Sequence, residues 1–238
     1  MTAEAERLER IRTRMARAAR ASGRDPADVR LVAVSKTFDL SHIRAVAAAG
    51  QVDFGENRVQ EALQKIEPSA DLQIRWHLIG HLQSNKARKA AAVFTMIHSV
   101  DSVSLLKLLD AAASEAGTTP ELLVQVDLAG EATKHGAPPG SVREIVEAGG
   151  ACRAARLVGL MLLPPLAEDP EEARPWFRRL REVRERLAAD GVPAPMLREL
   201  SMGMSGDFEV AVEEGATLIR VGRAIFGARP AATAGDHV

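Results

Sequence analysis

The sequence predicts a (β/α)8 TIM-type barrel with an extra N-terminal helix, and three observations carry that prediction. Eight short apolar runs recur along the chain, each followed by a stretch with helical spacing. The runs are apolar on both faces, as parallel strands are when helices cover one side and a barrel interior lies on the other. No linker rich in Pro, Gly and Ser divides the 238 residues, which points to one domain. A doubly wound open sheet is the alternative arrangement of the same units.

Residues 2 to 22 lack Gly and Pro and place Leu8, Ile11, Met15 and Ala18 or Ala19 at helical spacing among Glu and Arg, which predicts an amphipathic helix ending near Gly23. Strands follow in LVAVSK at 31, VDFGEN at 52, IRWHLIG at 74, FTMIHSV at 94, LLVQVDLA at 122, LVGLMLLP at 157, LRELSMGM at 197 and ATLIRVG at 216. Helical spacing fills the stretches between them: LSHIRAVAAAG, NRVQEALQKI, DSVSLLKLLDAAASEAG, GSVREIVEAGG, PEEARPWFRRLREVRERLAADG and GDFEVAVEEG. Several end in Gly, which favours the helix C-terminus. The barrel is expected to span residues 1–230, with 231–238 a loose tail.

Composition narrows the functional classes. Lys plus Arg at 31 against Asp plus Glu at 32 gives no overall pull toward nucleic acid or an anionic membrane, and no apolar run is long enough to cross a bilayer. The single cysteine, Cys152, excludes an internal disulfide, and the charged start MTAEAERLERIRTRM lacks a signal-peptide core, so a cytoplasmic location is expected. The chain has no Tyr. Any chemistry needing a phenol must borrow one.

In barrels of this kind the working face lies at the C-terminal ends of the strands, and the loops after strands seven and eight often hold a phosphate. Here those loops read SMGMSGD and RVGRAIFG, with glycines where backbone amides approach an anion and Ser201 and Ser205 as hydroxyl donors. Ordinary strand-to-helix turns are the alternative reading of either loop alone. Lys36 ends the first run and shares its parity with Val32 and Val34, which places it at the rim. Behind an apolar run and near cations its amine is partly deprotonated and can attack an aldehyde. A phosphate cradle on the opposite side of the same mouth then suggests pyridoxal 5'-phosphate, with its aldehyde on Lys36 and its phosphate on the loops. Arg220, before the second glycine loop, is placed either to reach the pyridine nitrogen or to form a salt bridge across the mouth.

The blocks VAVSKT, DFGENRVQEA, WHLIGHLQSNK, GLM, LSMGMSGDFEVAVEEGAT and IRVGRAIFG, in this order from about residue 30 to residue 229, resemble the pyridoxal phosphate homeostasis proteins, whose fold is like the N-terminal barrel of alanine racemase. The resemblance implies that Lys36 carries the cofactor as a Schiff base. It also implies that Ser201, Gly203, Ser205, Gly222 and Arg223 hold the phosphate, that Arg220 approaches the ring nitrogen, and that Asn57 and Met161 line the ring. It further implies a carrier that buffers and delivers pyridoxal phosphate without a substrate of its own, with apo pyridoxal-phosphate enzymes as recipients and a monomer or weak dimer as its state. Phe38 and Arg58 depart from the residues usual at their positions, and Lys134 matches a family lysine outside the main cradle.

An amino-acid racemase of the two-base alanine type would need a Tyr opposite the lysine, which this chain cannot supply even by self-association. A one-base racemase and a sugar-phosphate aldolase are the other readings of a lysine with phosphate loops. His77 and His81 lie in a predicted strand, where four residues span roughly 13 Å, too far for one metal ion. The basic run in RPWFRRLREVRERL alternates with Trp176, Leu180, Val183 and Leu187 and reads as a solvated helix face. Cys152 is read as a packing residue.

Overall fold

The computed structural model describes residues 2–130 and 135–228. Its eight strands are β1 (Arg30–Val34), β2 (Asp53–Glu56), β3 (Arg75–Leu78), β4 (Met96–Val100), β5 (Glu121–Gln125), β6 (Arg156–Met161), β7 (Glu199–Ser201) and β8 (Leu218–Val221), paired in parallel and in chain order. The barrel closes where Val32 and Ala33 of β1 meet Arg220 and Val221 of β8. All eight expected strands are present. The closure decides between the two sequence-level arrangements, because an open sheet leaves its first and last strands unpaired.

Helices α1 (Ala3–Ala21), α2 (Leu40–Ala48), α3 (Val59–Ile66), α4 (Ala87–Val93), α5 (Val103–Ala116), α6 (Val142–Gly149), α7 (Arg174–Ala189), α8 (Phe208–Glu213) and α9 (Arg223–Phe226) surround the sheet. The periodicity of α1 translates directly into packing: Leu8, Ile11, Met15, Ala18 and Ala19 are its buried residues, and Thr2 caps its start by accepting from the Ala5 amide. This helix lies against α8 and α9, where the Arg14 guanidinium pairs with Glu209 at 2.6 Å and Arg7 donates to the Ile225 carbonyl at 2.5 Å. In α7 the fully buried aromatic is Phe177, whereas Trp176 is only partly buried. Between α6 and β6, Cys152 is half-buried, and desolvation pushes its thiol up to about 11, in keeping with a packing role.

Two apolar layers result. The larger fills the space between helices and sheet. The smaller lies inside the barrel and consists of Val32, Met96, Leu123, Val158, Met161 and Leu218. Among the described residues no helix is long and apolar enough to cross a membrane. Lys134 and the 231–238 tail lie outside the described residues.

Candidate functional site

The C-terminal ends of the strands open onto a cavity of about 620 Å³. Lys36, Asn57, Ser205, Arg220, Gly222 and Arg223 all line it, together with Gly80, His81, Gln125, His135 and the loop from Leu163 to Pro170. Met161, Ser201 and Gly203 do not. Met161 belongs to the apolar layer beneath the cavity, and Ser201 is fully buried. Gly203 sits in a left-handed turn (φ 93°) whose carbonyl accepts from the Arg220 amide at 3.0 Å. The end of β7 at Ser201 separates the two serines of one sequence block. Ser201 ends β7 and points into the barrel, whereas Ser205 lies in the following turn and accepts from the Gly222 amide at 3.3 Å, joining the two glycine loops.

Lys36 sits two residues beyond β1, in a turn that the sequence alone did not indicate. Its neighbour Thr37 has φ 68°, a left-handed conformation that is strained for a β-branched residue. A buried ion cluster behind the turn holds that geometry in place. The Lys65 ammonium donates to the Ser35 carbonyl at 3.0 Å, to Glu56 Oε1 at 2.8 Å and to Glu61 Oε1 at 2.7 Å. Glu56 Oε1 also accepts from the Ser35 hydroxyl at 2.6 Å, and Glu61 Oε1 from the Thr37 amide at 2.6 Å. Burial pushes the Glu56 carboxyl above its ordinary range while the adjacent Lys65 charge pulls it back. Phe38 is buried and stacks on Phe226 with ring centres 5.0 Å apart, tying the turn to α9. Arg58 is exposed at the start of α3.

Lys36 and the second glycine loop are neighbours across the mouth, since β1 and β8 pair directly. The expectation that lysine and cradle face each other from opposite sides is corrected by this closure. Arg220 is buried, and donates to Ser201 Oγ at 2.6 Å and to the Leu162 carbonyl at 2.8 Å. Desolvation brings its guanidinium down to about 10, so it stays cationic at neutral pH.

His77 and His81 serve different places. His81 stands at the mouth, its ring stacked on His135 at 3.6 Å, while His77 is buried inside the barrel next to His98. Burial lowers His77, and lowers His98 well below the ordinary imidazole range. Unfolding frees both rings to bind protons below pH ~6.5, so the unfolded state gains protons that the native state refuses. Stability is therefore expected to fall as pH drops from about 6.5 toward the native values, by up to ~1.4 kcal/mol per pH unit for each ring. Urea melts at pH 7.5 and 5.5 measure this. A stability unchanged between the two would contradict two neutral buried imidazoles.

Sequence reasoning passed over several groups that the fold makes important. His98 had a signal, a polar residue in the middle of a doubly apolar run, and Lys65 had one in its spacing of four from Glu61 on a helix. Gln125 follows the strand-end rule, and its side chain donates to the His135 carbonyl. The loop at 163–170 carries no such mark.

The sequence profile of the alanine racemase N-terminal domain family matches residues 7–230. A pyridoxal phosphate homeostasis protein of Aquifex aeolicus is 41% identical over 224 residues, covering 94% of this chain and 97% of its own, and one of Pseudomonas aeruginosa is 43% identical over 230 residues, covering 96% and 97%. The structure of PipY from Synechococcus elongatus with pyridoxal phosphate bound superposes with a TM-score of 0.83 at 42% identity, covering 94% of this chain and all of PipY. An alanine racemase of Clostridium difficile shares the fold alone, with a TM-score of 0.67 at 18% identity over 86% of this chain and 53% of that one. With relatives this similar along nearly its whole length, the chain belongs to the pyridoxal phosphate homeostasis protein family.

Proposed function

We propose that the protein holds pyridoxal 5'-phosphate at the barrel mouth, attached through Lys36, and buffers and delivers it to apo pyridoxal-phosphate enzymes in the cytoplasm. The observation that carries this reading is the junction of β1 and β8, which gathers Lys36, Ser205, Arg220, Gly222 and Arg223 around one cavity. On pyridoxal phosphate the aldehyde and the phosphate arm leave adjacent ring carbons, so their anchors must be neighbours.

The donor set fits the group. Lys36 offers a primary amine, Ser205 a hydroxyl, the loops at Gly206 and Gly222 backbone amides, and Arg223 a cation for the phosphate. Gly222 lets its loop pack closely on β1 beside Lys36, since a Cβ there would lie 3.1 Å from the Val34 carbonyl oxygen. Asn57 flanks the ring. Arg220, held from below by Ser201 and Leu162, presents a permanent positive charge toward the ring nitrogen and keeps that nitrogen unprotonated. Met161, Ser201 and Gly203 act beneath, as floor and as supports of Arg220. When bound, the cofactor supplies an electron-accepting ring, and an unprotonated nitrogen makes it a weak acceptor, which suits storage better than carbanion chemistry.

The testing experiment is a visible spectrum of purified protein before and after borohydride reduction, with peptide mapping of the trapped residue. A yellow protein whose label maps to Lys36, and a colourless Lys36→Ala variant, are expected. A label elsewhere overturns the assignment. Loaded protein is also expected to leave the Cα hydrogens of amino acids unexchanged in heavy water, and rapid exchange would replace the carrier reading with a racemase.

A further inference from the structure

A single unbroken hydrogen-bond chain crosses the barrel interior from mouth to base. Arg220 Nη1 lies 2.6 Å from Ser201 Oγ, Ser201 Oγ 2.8 Å from His98 Nδ1, and His98 Nε2 2.9 Å from His77 Nδ1. His77 Nε2 is 2.9 Å from Asp53 Oδ1, and Asp53 Oδ2 accepts from Arg75 at 2.6 Å. Arg220 lines the mouth cavity, while Asp53, His77 and Arg75 line a second cavity of about 440 Å³ at the other end of the strands. Around the chain the interior layer is apolar. Five buried polar side chains are costly there unless each is satisfied, and Arg220, Ser201, His98, His77 and Asp53 each are.

The proton positions follow link by link. A guanidinium only donates, so Ser201 accepts from Arg220 and turns its own hydrogen to His98 Nδ1. Neutral His98 then carries its hydrogen on Nε2 and gives it to His77 Nδ1. His77 in turn carries its hydrogen on Nε2 and gives it to the Asp53 carboxylate, which only accepts. One arrangement satisfies every link, with both rings neutral. Moving a proton the whole way would neutralise Arg220 and protonate Asp53. The Arg220 guanidinium stays cationic with its value at about 10, and His77 and Arg75 hold the Asp53 carboxyl below its ordinary range against desolvation, so that state is disfavoured. The chain holds a direction and does not conduct.

We propose that Asp53, His77 and His98 are positioning residues for Arg220, fixing from the far end of the barrel the direction in which its guanidinium faces the bound ring. The proposal rests on the preceding reading only for what Arg220 meets; the chain of hydrogen bonds stands without it.

Two measurements test it. In cofactor-free full-length protein carrying 15N-histidine, His77 and His98 are expected to be neutral with the hydrogen on Nε2 from pH 6 to 8. A hydrogen on Nδ1 of either ring overturns the proposed direction. In pyridoxal phosphate titrations, Asp53→Asn and His98→Phe are each expected to weaken binding about five- to tenfold, the scale of one hydrogen bond, and to shift the visible band while borohydride still labels Lys36. Combined with Arg220→Lys, their losses are expected to be smaller than the sum. Additive losses, or a loss of thermal stability with an unmoved band, overturn the proposal. A wild-type protein with no band would defeat the cofactor reading instead, and the histidine spectra would still decide the direction of the chain.

Discussion

Replacing Lys65 by methionine is expected to lower folding stability by about 3–5 kcal/mol and to loosen the turn that carries Lys36. Methionine keeps most of the length and loses the charge, so Glu56, which has no exposed side-chain surface, remains buried without a counter-charge, its only partner the Ser35 hydroxyl among the described residues. Its second oxygen already lacks a partner among the described residues. The remaining relief is protonation, which sets the sign of the pH dependence. A Glu56 whose native pKa lies above its unfolded value favours the fold at low pH and opposes it as pH rises. The variant is therefore expected to be closest to wild type near pH 5 and weakest near pH 8, and Glu56→Gln in the same chain to recover part of the loss. Urea melts at both pH values decide the matter. A variant within about 1 kcal/mol of wild type at pH 8 would show that the cluster does not brace the turn.

The second large effect is expected from Gly80→Ala. A Cβ at this position would stand 2.3 Å from the Asn57 carbonyl oxygen and 2.9 Å from its Cα. Both partners are backbone, so neither can swing aside, and the loops after β2 and β3 must part at the cavity wall. Displacing Asn57 is expected to weaken pyridoxal phosphate binding about 5- to 150-fold, the equivalent of the 1–3 kcal/mol typical of overpacking. Gly140→Ala, where an added Cβ meets nothing within 4 Å, serves as the control and is expected to bind as wild type does. Binding within about threefold of wild type in Gly80→Ala would remove Asn57 from the site.

Much of the architecture was legible because parallel strands buried on both faces write themselves as uninterrupted apolar runs. Each of the eight runs became a strand, and the stripe Leu8, Ile11, Met15 became the buried face of α1. The lining of the mouth cavity was legible where it follows strand ends and glycine loops, as with Lys36, Ser205 and Gly222. It was not legible where geometry departs from local rules. Alternation along β1 carries no information beyond Val34, and the strained Thr37 decides how the lysine turn runs. Ser201 and Ser205 look equivalent in sequence, yet one belongs to a strand and the other to a turn. The placement of cradle and lysine side by side depends on which strands meet at closure, a property of the whole ring that no window of residues contains.

That closure also dictates when the site can exist during synthesis. One edge of β1 pairs with the neighbouring β2, but its other edge finds a partner only in residues 218–221, and α1 rests on helices formed by the last tenth of the barrel. A ribosome must release nearly the whole polypeptide before the first strand loses its exposed edge. Contacts of such long sequence separation make folding slow and leave an apolar flank open to misassembly meanwhile. Lys36 is translated early but meets Arg220 and Gly222 last, so a vitamin-derived aldehyde that selects the assembled mouth would act as a clasp, favouring completed rings over partly folded ones.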